Sequence, residues 1–224
     1  MKKLIISGIF LFGVGLPAPR LVQAQGTLSL SNLGMTSTGS APVGSDSWLG
    51  MDFRSGTNAG GYLLNSVQLA LGNASGNPSG FTAMIYANGN IPIGDYIGHN
   101  IGTLNGSLDP VTAGIYSYSP ISDLTLSPGT EYYLVLTAGT PVANGTYNWS
   151  YTDTFPPTQT GGWLGGSYFV TSQVGTYGWG PPPQLRGHYA QFAIYATELP
   201  VPEPSTFSLL VLGGLWLLRR KRRR

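Results

Sequence analysis

Cysteine is absent from this 224-residue chain, and histidine occurs only as His99 and His188. Without cysteine there is no disulfide, no thiol nucleophile and no thiolate metal site. The fold must be held by its core, and the stretch between the two chain ends is long enough for one sizeable core. The two histidines stand 89 positions apart, in neither an HxH nor an HExxH spacing, so the common zinc motifs are excluded. Charge is also scarce, with Asp, Glu, Lys and Arg making up 9% of the residues. Nine of the eleven basic residues precede Gln25 or follow Pro200. That leaves Arg54 and Arg186 against eight acids: Asp46, Asp52, Asp95, Asp109, Asp123, Glu131, Asp153 and Glu198. The interior is therefore near −6 (two minus eight), although the whole chain is formally +2. Nucleic-acid binding needs clustered cations to neutralise phosphates, and this interior has none. Long hydrophobic runs are missing too. The two apolar stretches, Leu4 to Leu16 and Thr206 to Leu218, are 13 residues each. Such a helix reaches about 20 Å at roughly 1.5 Å per residue, against a bilayer core of about 30 Å.

What the ends do contain is ordered. Lys2 and Lys3, the first apolar stretch and the small-residue site Val22-Gln23-Ala24 have the layout of a secretory signal peptide over residues 1–24. The predicted mature start is Gln25. At the other end, residues 199–224 hold the motif Val201-Pro202-Glu203-Pro204-Ser205, a predicted short transmembrane helix over 206–218 and a basic tail. The tail is Arg219, Arg220, Lys221, Arg222, Arg223 and Arg224. It should stay on the cytoplasmic side, with arginines snorkelling to extend a marginal span.

This order of motif, apolar stretch and arginine cluster resembles the PEP-CTERM sorting signal. The resemblance implies processing by an exosortase, a membrane cysteine protease or transpeptidase that cuts near the Pro-Glu-Pro. It makes the exosortase and the inner membrane the partners during sorting. The product would then be surface-bound or released into an exopolysaccharide matrix. The plainer alternative is a C-terminal membrane anchor that is never cut.

Between the ends, over residues 25–198, period-two patterns dominate and no helical stripe of useful length occurs. Glu131 to Thr137 is the clearest strand, introduced by the turn Ser127-Pro128-Gly129-Thr130. Tyr189 to Tyr195 reads as a buried closing strand. Ser66 to Leu71 and Gly80 to Tyr86 are expected to pair as a hairpin across the polar loop Gly72 to Ser79. Weaker strands are expected at Ser47 to Phe53, Tyr96 to Leu104, Thr146 to Tyr151 and Tyr168 to Val170. Thr152 to Gln184, crowded with Gly and Pro pairs, reads as a long ordered loop with one short strand. Many short strands separated by turns, with no helices between them, predict an all-β antiparallel sandwich or jelly roll.

Residues Trp48 to Thr137 are similar to the choice-of-anchor R family of exported β domains. The resemblance is carried by Trp48-Leu49-Gly50-Met51-Asp52-Phe53, by Leu63 to Leu71, by Phe81 to Ala87 and by Leu126 to Leu136. It implies the fold and brings no activity with it.

No constellation in the chain points to an enzyme. Ser150, Ser167 and Ser172 lack a Gly-x-Ser-x-Gly elbow, and no carboxylate pair stands in a glycosidase-like motif. Asp52 and Arg54, two apart, share one strand face as an expected surface ion-pair neighbourhood. Asp95, Asp109, Asp123 and Asp153 lie in Asn- and Gly-rich loops that could offer oxygen to calcium, without any EF-hand run. No other cofactor is implied. The aromatics are more telling. Trp149, Tyr151, Phe155, Trp163, Tyr168, Phe169, Tyr177 and Trp179 crowd one Gly- and Pro-rich stretch. Exposed, they would form stacking platforms for sugar rings, with Trp149, Trp163, Tyr177 and Trp179 as the candidate contacts to an exopolysaccharide. The alternative is that they pin long loops to the body. The functional expectation is an exported structural or adhesive protein of the cell surface, biofilm or extracellular matrix, with carbohydrate binding by these loops as the runner-up.

Overall fold

The computed structural model describes residues 26–89, 97–106, 109–154, 159–166, 169–173, 179–180 and 183–201. The leader 1–24 and residues 202–224, with most of the sorting motif, the apolar segment and the basic tail, lie outside them. Among the described residues no helix is long and apolar enough to cross a membrane.

The described chain is all-β and antiparallel. It opens with β1 (Thr27–Ser31), β2 (Gly39–Val43), β3 (Ser47–Arg54), β4 (Tyr62–Leu71) and the two-residue β5 (Ser75–Gly76). It continues through β6 (Thr82–Asn88), β7 (Ile97–Gly106), β8 (Gly114–Pro120), β9 (Thr125–Leu126) and β10 (Glu131–Thr137). It closes with β11 (Gly145–Thr152), β12 (Phe169–Gln173), β13 (Trp179–Gly180), β14 (Tyr189–Ala190) and β15 (Phe192–Glu198). The main ladder runs β1-β15-β4-β8-β7-β6-β10-β3-β12-β13, and β11 joins β2, β14, β5 and the end of β4.

The ladder curls into a sandwich-like body. Phe53 of β3 lies 6.4 Å from Phe192 of β15, although five strands separate them in the ladder. Trp149 of β11 meets Phe169 of β12 edge-on at 5.6 Å. One core of Leu, Val, Ile, Phe, Tyr and Trp fills the space between these faces. Strand β10 matches its expected residues, and its position explains its near-continuous apolar sequence. It sits between β6 and β3. Tyr132, Leu134 and Leu136 enter the main core, while Tyr133 and Val135 enter a second cluster on the opposite face. The expected strands at β3, β7, β11 and β12 are also present, with ends shifted by a few residues.

Two expectations need correction. The Ser66 to Leu71 and Gly80 to Tyr86 strands do not form a hairpin. β4 is flanked by β15 and β8, and β6 by β7 and β10. The loop between them is itself drawn away, because Ser75 and Gly76 pair with Thr146 and Gly145 of β11. The closing strand is also broken, at Gln191, where the chain changes partners. Its N–H donates to the Ser150 carbonyl of β11 (2.8 Å), while its own carbonyl accepts from Ala70 N of β4 (3.1 Å). The buried side chain donates from Nε2 to the Met35 carbonyl at 2.7 Å. A strand that hands its ladder from one neighbour to another is how sandwich corners are made. Strands β1, β2 and β8 were not expected from sequence. In β2, Pro42 is tolerated because the strand is an edge, paired only with β11.

Candidate functional site

Strand alternation decides where the aromatic residues go. On β11, Tyr147, Trp149 and Tyr151 share one face. Tyr147 and Trp149 are fully buried, and Trp149 donates from Nε1 to the Gln191 carbonyl at 3.2 Å. Trp163 follows a tight turn at Thr160–Gly162, in which Gly161 (φ +75°) and Gly162 (φ +81°) take left-handed conformations that favour glycine. That turn drops the indole between Phe53 (6.5 Å, near-parallel) and Tyr62 (4.8 Å, edge-on). The loop is latched by paired backbone bonds between Arg54 and Leu164, at 3.0 and 3.1 Å. Trp149 and Trp163 are 0% and 2% exposed, so neither offers a face for sugar stacking. Both fit the alternative reading, rings that fasten strand and loop to the body. Of the other two candidates, Tyr177 lies outside the described residues, and Trp179 is half-buried on the second apolar cluster.

That second cluster covers the outer face of β6, β10, β3 and β12. Met84, Ile97, Tyr133, Val135 and Val170 are buried there, with Trp48, Tyr86 and Trp179 packed against them. Trp48 and Trp179 meet edge-on at 6.4 Å, and Trp48 donates from Nε1 to the Ser45 carbonyl at 3.1 Å. Gly50 lies beneath, because a Cβ there would crowd Ile97 and Val170 at 2.9 Å. The Tyr133 hydroxyl donates to Glu131 at 3.1 Å. Arg54 donates from Nε to the Gly129 carbonyl at 2.8 Å, bracing the turn before β10.

Sequence spacing gave no hint of the pair His188 and Asp153. The His188 Nδ1 and Asp153 Oδ1 are 2.5 Å apart, and the imidazole stacks on Tyr151 at 4.3 Å. Thr38 also donates to Asp153 Oδ1, at 2.8 Å. These two partners, the threonine hydroxyl first, hold the Asp153 carboxyl below its usual range. Folding therefore gains from ionised Asp153 above the ordinary carboxylate pKa and loses that gain as pH falls through the lowered one. A triad needs its nucleophile on the imidazole, whereas the Thr38 hydroxyl sits on the carboxylate. Of the aspartates considered for calcium, Asp95 lies outside the described residues. Among those described, no three of His, Asp and Glu come together as a metal-binding group.

A cleft of about 280 Å³ opens where the start of β6, the end of β7 and β8 meet, lined by Phe81, Thr103, Asn105, Asp109 and Tyr118 among others. The Phe81 ring rests on Tyr118 at 5.4 Å and on Tyr147 at 5.1 Å. Both tyrosines are at least 96% buried, and neither hydroxyl has a hydrogen-bond partner. Such an unmet buried group costs about 1–3 kcal/mol. Burial first, then the Asp109 carboxylate, pushes the Tyr147 hydroxyl up to about 12. The Asp109 carboxylate lies close enough for that influence, yet makes no bond of ordinary geometry to it. Tyr118 is pushed higher still, by burial, then Tyr116 and Asp109. Because both folded pKa values exceed the ordinary tyrosine value, the native state keeps protons that the unfolded state releases. Stability is complete below about pH 10 and is expected to fall as pH rises toward 12. Thermal melts followed by circular dichroism from pH 8 to pH 12 (values chosen around the ordinary tyrosine pKa of about 10) check this. Tyr147→Phe should flatten the alkaline decline.

The cleft was not legible in sequence, because its residues come from β6, β7, β8 and the loops beside them. The chain matches no protein-family model, and no curated protein is measurably similar to it.

Proposed function

We propose that this protein is an exported, non-enzymatic structural or adhesive component of an exopolysaccharide-associated cell envelope, delivered by an exosortase. In this reading the leader directs export, and the apolar segment and basic tail hold the chain in the inner membrane. The exosortase then acts within Val201 to Ser205, and the jelly-roll-like body is left at the surface or in the matrix. The choice-of-anchor R resemblance of Trp48 to Thr137 agrees with it, since those domains are exported with varied anchors.

The observation that carries the reading is the pairing of two cation-flanked apolar ends with a weakly acidic all-strand body. The exit of the chain is in keeping. The last main-chain bond to the body runs from Leu199 N to the Gly61 carbonyl at 3.0 Å, and Asn58 Nδ2 caps the Leu199 carbonyl at 2.8 Å. Two residues on, Val201, the first residue of the motif, is 50% exposed. An enzyme acting there would find it free of the β ladder.

Intact and C-terminal mass spectrometry of the native protein tests the proposal. The expected species begins at Gln25 and ends near Glu203, with or without a joined group. A full-length chain recovered from cytosol, with Met1 and Arg224 both present, would refute it.

A further inference from the structure

We propose that the cleft between β6, β7 and β8 is a binding site for a single neutral sugar residue, recognised by Asp109, Asn105, Phe81 and the buried hydroxyl of Tyr118. The site is separate from the aromatic loops and would exist whether or not the chain is sorted at its C terminus.

Size comes first. At about 280 Å³ the cleft is just below the range of roughly 300–1,000 Å³ typical of drug-sized ligands. It suits one small ring and not a length of polymer. Its charge then restricts the ligand. Among the described residues the lining holds the Asp109 carboxylate and no Lys, Arg or His, so an anionic ligand such as a uronate or phosphate would meet net repulsion. A divalent cation is a poor match, because one carboxylate with a neutral phenol falls short of the six to eight oxygens calcium takes.

Hydrogen bonding separates the remaining candidates. The Tyr118 hydroxyl lacks any partner and has a proton to donate. The Asp109 carboxylate can only accept, and Asn105 both donates and accepts. An organic ammonium could satisfy Asp109 but has no lone pair for the phenol proton. A sugar hydroxyl does both, accepting from tyrosine while donating to aspartate. Its ring also has an apolar C–H face for Phe81.

Tyr118 lines the cleft with its hydroxyl shielded from solvent, and half-buried Phe81 packs on its ring and on that of Tyr147. Phe81 must yield as the ligand enters, so binding should alter the tyrosine near-ultraviolet signal. The backbone is fitted to this arrangement at Gly106, where a Cβ would strike the Tyr118 ring.

The test uses the full-length chain in a zwitterionic, sugar-free detergent. It is titrated with glucose, galactose, mannose and N-acetylglucosamine, and with glucuronate and putrescine as charged comparisons. Calorimetry and near-ultraviolet circular dichroism report binding. At least one neutral sugar should saturate at millimolar concentration, with a near-ultraviolet change, while glucuronate and putrescine should not. Tyr118→Phe removes an unpartnered hydroxyl, so it should fold and melt no lower than the parent, yet bind about tenfold more weakly. Asp109→Asn should weaken binding at least as much. The proposal is overturned if no neutral sugar saturates, if Tyr118→Phe binds like the parent, or if putrescine binds in preference. A stabilised Tyr118→Phe alongside a parent that binds nothing would mean that the cleft holds water only. None of these outcomes depends on how the C terminus is processed.

Discussion

Replacing Trp149 by alanine should remove about 3–5 kcal/mol of stability, the usual loss for a large aromatic deleted from a packed core. The ring is completely buried and touches both sides of the sandwich, meeting Phe169 at 5.6 Å and Phe192 at 6.5 Å. Its strand is boxed in by β2 on one edge and by β14, β4 and β5 on the other, so the cavity has little freedom to collapse. The lost Nε1 bond to Gln191 adds less, because that carbonyl keeps the Ala70 amide. Natural domains are stable by only about 5–15 kcal/mol. The variant should therefore melt about 10–15 °C lower, at roughly 2–4 °C per kcal/mol for a body of this size. Trp149→Phe should recover most of that loss. Calorimetric melting of the three proteins is the check, and a drop of only a degree or two in Trp149→Ala would contradict the burial described here.

Trp163→Ala should come next in size, near the lower end of the same range. The indole is sandwiched between Phe53 and Tyr62, but it hangs from a surface loop, so water can partly fill the gap it leaves. The loss should also be local. The amides of Arg54 and Leu164, which bond each other's carbonyls across the loop and β3, should exchange hydrogen much faster. The amides of β10, paired on both sides, should lose only what the global change in stability predicts. The same variant separates the two roles considered for this ring. If melting and exchange are unchanged while adherence to polysaccharide disappears, the ring acts as an exposed platform. If stability falls and adherence per folded molecule is unchanged, it is a fastening.

The strands that could be read from sequence share a physical property. Glu131 to Thr137 follows a Pro-Gly turn and is apolar throughout because it is buried on both faces. In Ser47 to Arg54 the residues Leu49, Met51 and Phe53, and in Gly145 to Thr152 the residues Tyr147, Trp149 and Tyr151, alternate with small or polar ones, a period-two pattern legible in sequence. Thr27 to Ser31 alternates as well, but five residues at an edge make a weak signal. Pairing was harder. Adjacent strands usually make hairpins, and the β4–β6 expectation rested on that tendency. The actual partners of β4 come from β8, β9, β11 and β15, and their contacts are set by side chains far away in sequence. The aromatic stretch was misleading for a related reason. Glycine and proline around Trp149 and Trp163 suggest exposed loops, yet the left-handed turn at Gly161 and Gly162 serves to bring Trp163 inward.

Composition and periodicity alone determined that the body is an acidic, disulfide-free, all-strand domain between two apolar, cation-flanked ends, because these properties depend on residue type and near neighbours. Only the tertiary structure decided which rings are core, that His188 meets Asp153, and that Phe81, Asn105 and Tyr118 line one cleft. Those are meetings between residues tens of positions apart, and they follow from how the ladder curls.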